Sequence, residues 1–351
     1  PVADDVSDSN DILSGILTLD DLKNYETLTY EPTKVTYRGY DIYGPPPVTS
    51  GGTTIGQVLN ILEGYDLSNI PRSQALHYYI EACRYAYADR SAYIGDPKFT
   101  KIPVRGLLSK KYANTIREKI DDAKATQGQM TPGNPWPFMD ERNRHDSSLN
   151  ENFENEVPDR STIHLSVSDE DGNIVSYTST ILSIGGNAMV VPGYGFLLNN
   201  ALAGMLPGHD DNAPNYPRAN MRPLSSMAPT IVQKDGKPVF TLGTPGSETI
   251  ITSILQTIIN YIDFDMSFPD AIAAPRLSQM NHEDGQTFYE EIFASHYKDD
   301  QGNDVLEELK KLGHRLKPDT RVQGIGSITG IEFLPDDRAR AAAEPVRRGG
   351  G

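Results

Sequence analysis

The sequence predicts a mixed α+β fold, and three observations carry that expectation. Apolar and polar residues alternate through 32–43, 161–181 and 228–242, each time around turn residues, which is the period-2 pattern of paired strands. Apolar residues recur at three-four spacing through 53–64, 73–93 and 248–261, the pattern of helices that bury one side. A chain of 351 residues is long enough for these elements to bury a substantial core.

In chain order, 1–12 is acidic and polar and is expected to be an irregular end. Thr18 then reads as an N-cap, with Asp20 and Asp21 at the positive end of a short helix reaching about Tyr25. Val35 and Tyr37, then Tyr40 and Ile42, flank Arg38-Gly39 as a two-stranded ribbon, and Pro45-Pro46-Pro47 through Gly51-Gly52 forces a loop. Ile55, Val58, Leu59 and Leu62 mark the helix over 53–64. Leu76, Tyr79, Ile80, Cys83 and Tyr87 mark the one over 73–93, which stops before Gly95-Asp96-Pro97. A charged amphipathic helix is predicted over 108–125. The polar run 125–161, with Pro132, Pro135 and Pro137, lacks the periodicity to pack and reads as an exposed connector.

The connector ends where a strand begins. Ile163, Leu165 and Val167 alternate with His164, Ser166 and Ser168, Asp169 to Asn173 supplies a turn, and Ile174 to Ile181 returns. Thr162 lies at that boundary, a place suited to a chain cut that makes the new N-terminal hydroxyl a nucleophile. Further on, 189–198 reads as two short strands around a turn, 201–222 as loop, and 228–242 as a hairpin around Asp235-Gly236. Gly243-Thr244-Pro245-Gly246-Ser247 then feeds the helix over 248–261, so its backbone N–H groups suit an anion or oxyanion. Helices at 267–274 and 301–312, a strand at 324–333 and a partly disordered tail from Arg338 complete the expectation.

Composition removes several functions. With 48 acidic against 32 basic residues, a net charge of −16 and a pI near 4.8, no broad basic face is available for nucleic acid or an anionic membrane. The apolar run at 250–262 is interrupted by Thr252, Ser253, Gln256, Thr257 and Asn260, so no membrane span is predicted. One cysteine, Cys83, precludes an internal disulfide or a cysteine metal cluster. The chain begins at Pro1 without an apolar leader and reads as a mature form or a fragment from which a leader could have been removed. The histidines have no metal-binding spacing, and no P-loop, GxGxxG or GxSxG pattern occurs, so no metal and no cofactor is expected. By residue type alone, Thr162 reads first as a plain strand residue and Ser225-Ser226 as a turn pair. The 243–247 loop is the stronger pointer to a site.

Tyr37-Arg38-Gly39-Tyr40, Pro45-Pro46-Pro47 with Ser50-Gly51-Gly52, Tyr85-Ala86-Tyr87-Ala88-Asp89-Arg90, Gly95-Asp96-Pro97, 162–180, Leu197-Leu198-Asn199-Asn200, Arg222-Pro223-Leu224-Ser225-Ser226-Met227 and 243–247 follow one another in an order similar to that of γ-glutamyltransferases. Capsule depolymerases and cephalosporin acylases share this resemblance, which spans 15–335; Val191-Pro192-Gly193-Tyr194-Gly195 inclines toward the capsule-depolymerase branch. The resemblance implies an N-terminal nucleophile hydrolase, an αββα four-layer sandwich whose N-terminal part is absent from this sequence. It implies a precursor that cuts itself between Ser161 and Thr162. Residues 1–161 would then be the C-terminal part of a large subunit, ending in a processing loop at about 125–161, and 162–351 the small subunit of one intertwined catalytic domain.

By the same resemblance, Thr162 is the nucleophile of a threonyl acyl-enzyme and Thr180 supports it. Gly246 and Ser247 offer oxyanion-hole amides, Ser for the usual second Gly being tolerable if its φ is negative. Ser225 and Ser226 hold the α-carboxylate of a small-molecule or poly-γ-glutamyl substrate, and the location is extracellular or periplasmic. Leu182 and Gly204 depart from the pattern, standing for a polar substrate contact and for the acid that holds the substrate amine; 183–188 replaces an aromatic and glycine-containing loop. The arginine that clamps the substrate carboxylate belongs to the absent N-terminal part. These departures leave a second reading open, a catalytically silent scaffold or binding protein.

Overall fold

The computed structural model describes residues 18–139, 160–205, 213–298, 302, 304–320 and 324–345. The end expected at 1–12 and the connector from 140 to 159 lie outside the described residues.

Eleven strands form three sheets among the described residues: β1 (Thr33–Tyr37), β2 (Tyr40–Gly44), β3 (Arg160–Ser168), β4 (Ile174–Ser183), β5 (Thr230–Lys234), β6 (Lys237–Gly243), β7 (Leu277–Ser278), β8 (Gln286–Tyr289), β9 (Arg315–Pro318), β10 (Thr329–Phe333) and β11 (Ala339–Ala343). The largest sheet is antiparallel with order β1-β2-β5-β6-β10-β11. It is shared across the chain, because Ile42 of β2 pairs with Val232 of β5. The hairpins at β1–β2, β3–β4 and β5–β6 lie where alternation places them.

Nine helices are described: α1 (Leu19–Lys23), α2 (Gly51–Leu62), α3 (Arg72–Tyr93), α4 (Val104–Leu107), α5 (Lys110–Arg117), α6 (Thr249–Ile262), α7 (Phe268–Ala273), α8 (Phe293–His296) and α9 (Val305–Lys311). Thr18 caps α1 in a capping box with Asp21. All twelve residues of α2 are buried, since it packs against β1 and β2, α3 and α6. Helices thus cover one face of the long sheet, and the β3–β4 hairpin covers the other through contacts to β6 and β10. On the hairpin, His164, Ser166, Ser176 and Thr178 are partly buried, whereas Ile163, Leu165, Val167, Val175 and Tyr177 lie exposed on the outer side.

Four expectations need correction. The helix predicted over 108–125 stops at Arg117, after which Ala125 N–H donates to Leu312 O at 2.7 Å and draws the chain toward α9. The connector is not exposed at its start: Ala125, Met130 and Trp136 are buried, and Gly133 N–H donates to the Asp89 carboxylate at 2.7 Å. Of the tail expected to be partly disordered from Arg338, Ala339–Ala343 forms β11, because an edge strand satisfies its backbone on β10 and Glu344 is buried against Arg276 at 2.9 Å, while 346–351 lie outside the described residues. The strands expected within 189–198 reduce to one bridge, Val190 to Leu197.

One buried pair joins the segments on either side of Thr162. His77 on α3 places Nε2 2.7 Å from Asp121 O and Nδ1 2.7 Å from His314 Nε2. A carbonyl only accepts, so His77 Nε2 carries the proton and its Nδ1 accepts from His314. Burial, then His77 and Arg84, lower the His314 pKa from 6.5 to about 3. The unfolded chain therefore binds the extra proton first, so this contribution is complete above pH 6.5 and is lost as pH falls toward 3. The melting temperature should fall on titration from pH 7 to 4, and His314→Gln, which retains an N–H donor but cannot titrate, should fall less.

Candidate active site

The β3–β4 ladder is regular until its last pairs. Thr162 faces Thr180 but Ser161 faces Leu182, so Ile181 is extra and a bulge lies opposite the Ser161 to Thr162 peptide bond. Leu182 sits at φ 69, outside the usual range for a side chain, and its N–H donates to Thr180 Oγ1 at 2.9 Å. Thr180 Oγ1 donates to Ser161 O at 2.8 Å and lies 3.0 Å from Thr162 Oγ1. With its single hydrogen given to Ser161, Thr180 is the acceptor in the pair with Thr162.

Along β3, His164 sits against Gly243 so closely that a Cβ there would lie 2.2 Å from its Nδ1. Ser166, two residues further, pairs with Ser176, whose hydroxyl reaches Leu242 O at 3.4 Å. The direction of this progression sends Thr162 toward the loop that follows Gly243. His164 itself was not foreseen as a site residue; its ring contacts Thr178 Oγ1 at 2.8 Å and Ser166 Oγ at 3.0 Å, and burial lowers its pKa to about 4, so it is neutral at pH 7.

The loop after Gly243 turns into α6 with Gly246 at φ 143 and Ser247 at φ 56. No described residue accepts from either amide, which leaves two N–H groups at the start of a fourteen-residue helix. The condition placed on Ser247 is not met: its φ is positive, a region that suits glycine, because the chain reverses there to enter α6. Ser247→Gly should relieve this strain and raise stability by about 1 kcal/mol with the amide geometry retained, measured by chemical unfolding.

Ser225 and Ser226 are held by the segments that carried the resemblance. Ser50 N–H and Oγ donate to Ser225 O at 2.7 and 2.9 Å, and Thr49 Oγ1 donates to Met227 O at 2.6 Å. Only a residue without a side chain fits at Gly51, where a Cβ would lie 2.4 Å from Met227 O. Asp96 grips Arg222 through Nε at 3.1 Å, Nη2 at 3.0 Å and the backbone N–H at 3.0 Å. Arg222 holds the Asp96 carboxyl below the usual range against its burial. Asp89 accepts from Gln57, Tyr112 and Gly133, with burial raising its pKa to about 6, and so anchors α3. Met227 N–H donates to Ser225 Oγ at 3.2 Å and Arg90 Nη2 donates to Ser226 Oγ at 2.9 Å; among the described residues neither hydroxyl proton has an acceptor.

Besides His164, two residues of this site were not singled out as site residues from the sequence. Arg90 reaches the serine pair from α3, and its signal was its place beside Asp89 in a segment that resembles the family. Asn200 ties the segment after β4 to the bulge, accepting from Ser183 N–H at 3.0 Å and donating to Ser183 Oγ at 2.9 Å. Gly204 lies in open space, with nothing within 4 Å of an added Cβ, and its carbonyl accepts from Asn215 at 2.6 Å. No cluster of three or more metal-ligating side chains occurs among the described residues, and no helix among them is long and apolar enough to cross a membrane.

The profile of the family described as Gamma-glutamyltranspeptidase matches residues 1–351. Glutathione hydrolase proenzyme of Bacillus subtilis (strain 168) is 35% identical over 93% of this chain, and that of Escherichia coli (strain K12) 34% over 98%. Acylase ACY 1 proenzyme of Pseudomonas sp. (strain SE83) is 35% identical over 94%. The chain covers 53%, 56% and 53% of these three relatives, about half their length. The crystal structure of cephalosporin acylase from Bacillus halodurans superposes with a TM-score of 0.78 at 25% identity, over 96% of this chain and 55% of that one. By the family profile across its length and these relatives, the chain belongs to the γ-glutamyltranspeptidase family.

Proposed function

We propose that this chain carries the nucleophile of an amide-bond hydrolase or acyl transferase, released by self-cleavage between Ser161 and Thr162. The reading rests on one observation, the Thr180 hydroxyl shared between Thr162 Oγ1 and Ser161 O. Thr162 gives its proton to Thr180 as Thr180 relays its own proton to the Ser161 oxygen, and the freed Thr162 lone pair turns to the Ser161 carbonyl carbon. The new C–Oγ1 bond forms, the C–N bond breaks, and the proton passes to the departing nitrogen. Water then hydrolyses the ester, leaving a Ser161 carboxylate and a free α-amino group on Thr162. That amine, with an ordinary pKa of about 8, is the general base for later turnovers.

On substrate, Thr162 attacks the amide carbonyl and the Gly246 and Ser247 amides hold the oxyanion. The amine leaves, and the acyl ester on Thr162 passes to water or to a second amine. Ser225 and Ser226 give their hydroxyl protons to a carboxylate on the acyl group, which suits a γ-glutamyl amide, glutathione included, or a related acyl amide. Residues 1–161 and 162–351 act as parts of the large and small subunits, kept together by the β2–β5 pairing, in a protein acting outside the cytoplasm.

Intact mass and N-terminal sequencing of purified protein test the reading. Two pieces are expected, one starting at Thr162, together with turnover of a fluorogenic γ-glutamyl amide. A single uncut band from both fresh and aged protein would overturn it in favour of a silent scaffold.

A further inference from the structure

We propose that Arg90 is a positioning residue for substrate, turning the Ser226 hydroxyl toward the acyl carboxylate and tying the serine pair to the oxyanion loop. The inference rests on the reading above that this pair holds a carboxylate.

Arg90 is 8% exposed on α3. Its fork is divided among three segments: Nε donates to Ser50 Oγ at 2.9 Å, Nη2 donates to Ser226 Oγ at 2.9 Å, and Nη1 lies 3.8 Å from Glu248 Oε1. One turn earlier, Tyr87 OH donates to Glu248 O at 2.6 Å, so the same helix face grips the residue that follows Ser247. Because Ser226 Oγ accepts from a cation, its own O–H must be offered elsewhere and is a stronger donor. A carboxylate there receives that proton with a guanidinium one atom behind it. The rigid fork also fixes the spacing between the carboxylate anchor and the amides that hold the oxyanion, and hence the acyl length that reaches Thr162. Glu248 is the counter-charge that tempers the field of Arg90 at the anchor.

The test compares wild type, Arg90→Gln, Arg90→Lys and Glu248→Gln in the full-length, self-cleaved protein. The substrates are γ-glutamyl and 4-aminobutyryl p-nitroanilide, which differ only in the α-carboxylate. Arg90→Gln should raise KM for the γ-glutamyl substrate about tenfold or more with kcat within about twofold, and change the 4-aminobutyryl kinetics by less than about twofold. Arg90→Lys should recover part of the loss, and Glu248→Gln should lower the γ-glutamyl KM. An equal fall in kcat/KM on both substrates in Arg90→Gln, an unchanged γ-glutamyl KM in that variant, or a raised KM in Glu248→Gln overturns the proposal. Ser226→Ala separates the two levels: if it leaves the γ-glutamyl KM unchanged, the carboxylate anchor fails and the role of Arg90 falls with it. If Ser226→Ala raises KM and Arg90→Gln does not, only the inference about Arg90 is lost.

Discussion

Thr162→Ala leaves the chain in one piece and lowers acyl transfer by at least about 10⁴-fold, the scale of removing a covalent nucleophile. The reason lies in the balance of the cleavage step. The bond to Ser161 breaks only if a new bond to its carbonyl carbon forms, and among the described residues Thr162 Oγ1 is the hydroxyl whose proton is received by Thr180 beside that carbonyl. Alanine at 162 leaves Thr180 and its bond to Ser161 O in place, so the fold persists while the attack is lost. Thr180→Val makes the complementary change: the nucleophile remains, its proton acceptor disappears and Ser161 O loses its donor. Cleavage should slow strongly in Thr180→Val and return in Thr180→Ser, followed by gel densitometry over days. Cutting of Thr162→Ala at the same bond would refute the assignment.

Gly246→Ala separates cleavage from turnover. At φ 143 an L side chain is strained, and its Cβ would lie 2.8 Å from Thr249 Oγ1 and 3.2 Å from Gly326 Cα, so the loop must shift. Displacing an oxyanion donor costs about 10²–10³ in kcat, roughly 3–4 kcal/mol. Self-cleavage should survive, because the Ser161 oxygen is held by Thr180 rather than by this loop. Mass spectrometry should therefore show two pieces in a protein whose kcat has collapsed and whose KM is little changed. A kcat within a few-fold of wild type would remove Gly246 from the mechanism.

The long hairpins and helices were legible because their signals are local. Alternation around Asp235-Gly236 and three-four spacing in α2, α3 and α6 need no knowledge of distant partners. Strands β7, β8 and β9 were not legible: β8 pairs in parallel with β9 at a register of Gln286 to Arg315, and each strand has four residues or fewer. So short a run carries no periodicity. Strand β11 was hidden for another reason, since Ala339 to Ala343 forms an edge whose stability comes from β10 and from the buried contact of Glu344 with Arg276.

At the site, residue types alone left Thr162 as an ordinary strand position and Ser225-Ser226 as an ordinary turn. Resemblance gave them roles, and geometry then brought the resembling segments together: Ser50, Asp89, Arg90 and Asp96 all brace the loop that carries the serine pair or the helix behind it. The condition that φ at Ser247 be negative is not met, because a backbone dihedral at a loop-to-helix junction is set by where the helix must point.

The sequence by itself determined the α+β class, the main hairpins and helices, the membership of a family and the positions to inspect, because propensity, periodicity and motif order are written along the chain. Only the tertiary structure decided that a bulge lies opposite the Ser161 to Thr162 bond, that Thr180 contacts both sides of it, and that α3 reaches both Ser226, through Arg90, and Glu248, through Arg90 and Tyr87. Those facts depend on the directions of hydrogen bonds between residues up to 161 positions apart, and direction in space is fixed by packing rather than by spacing along the chain.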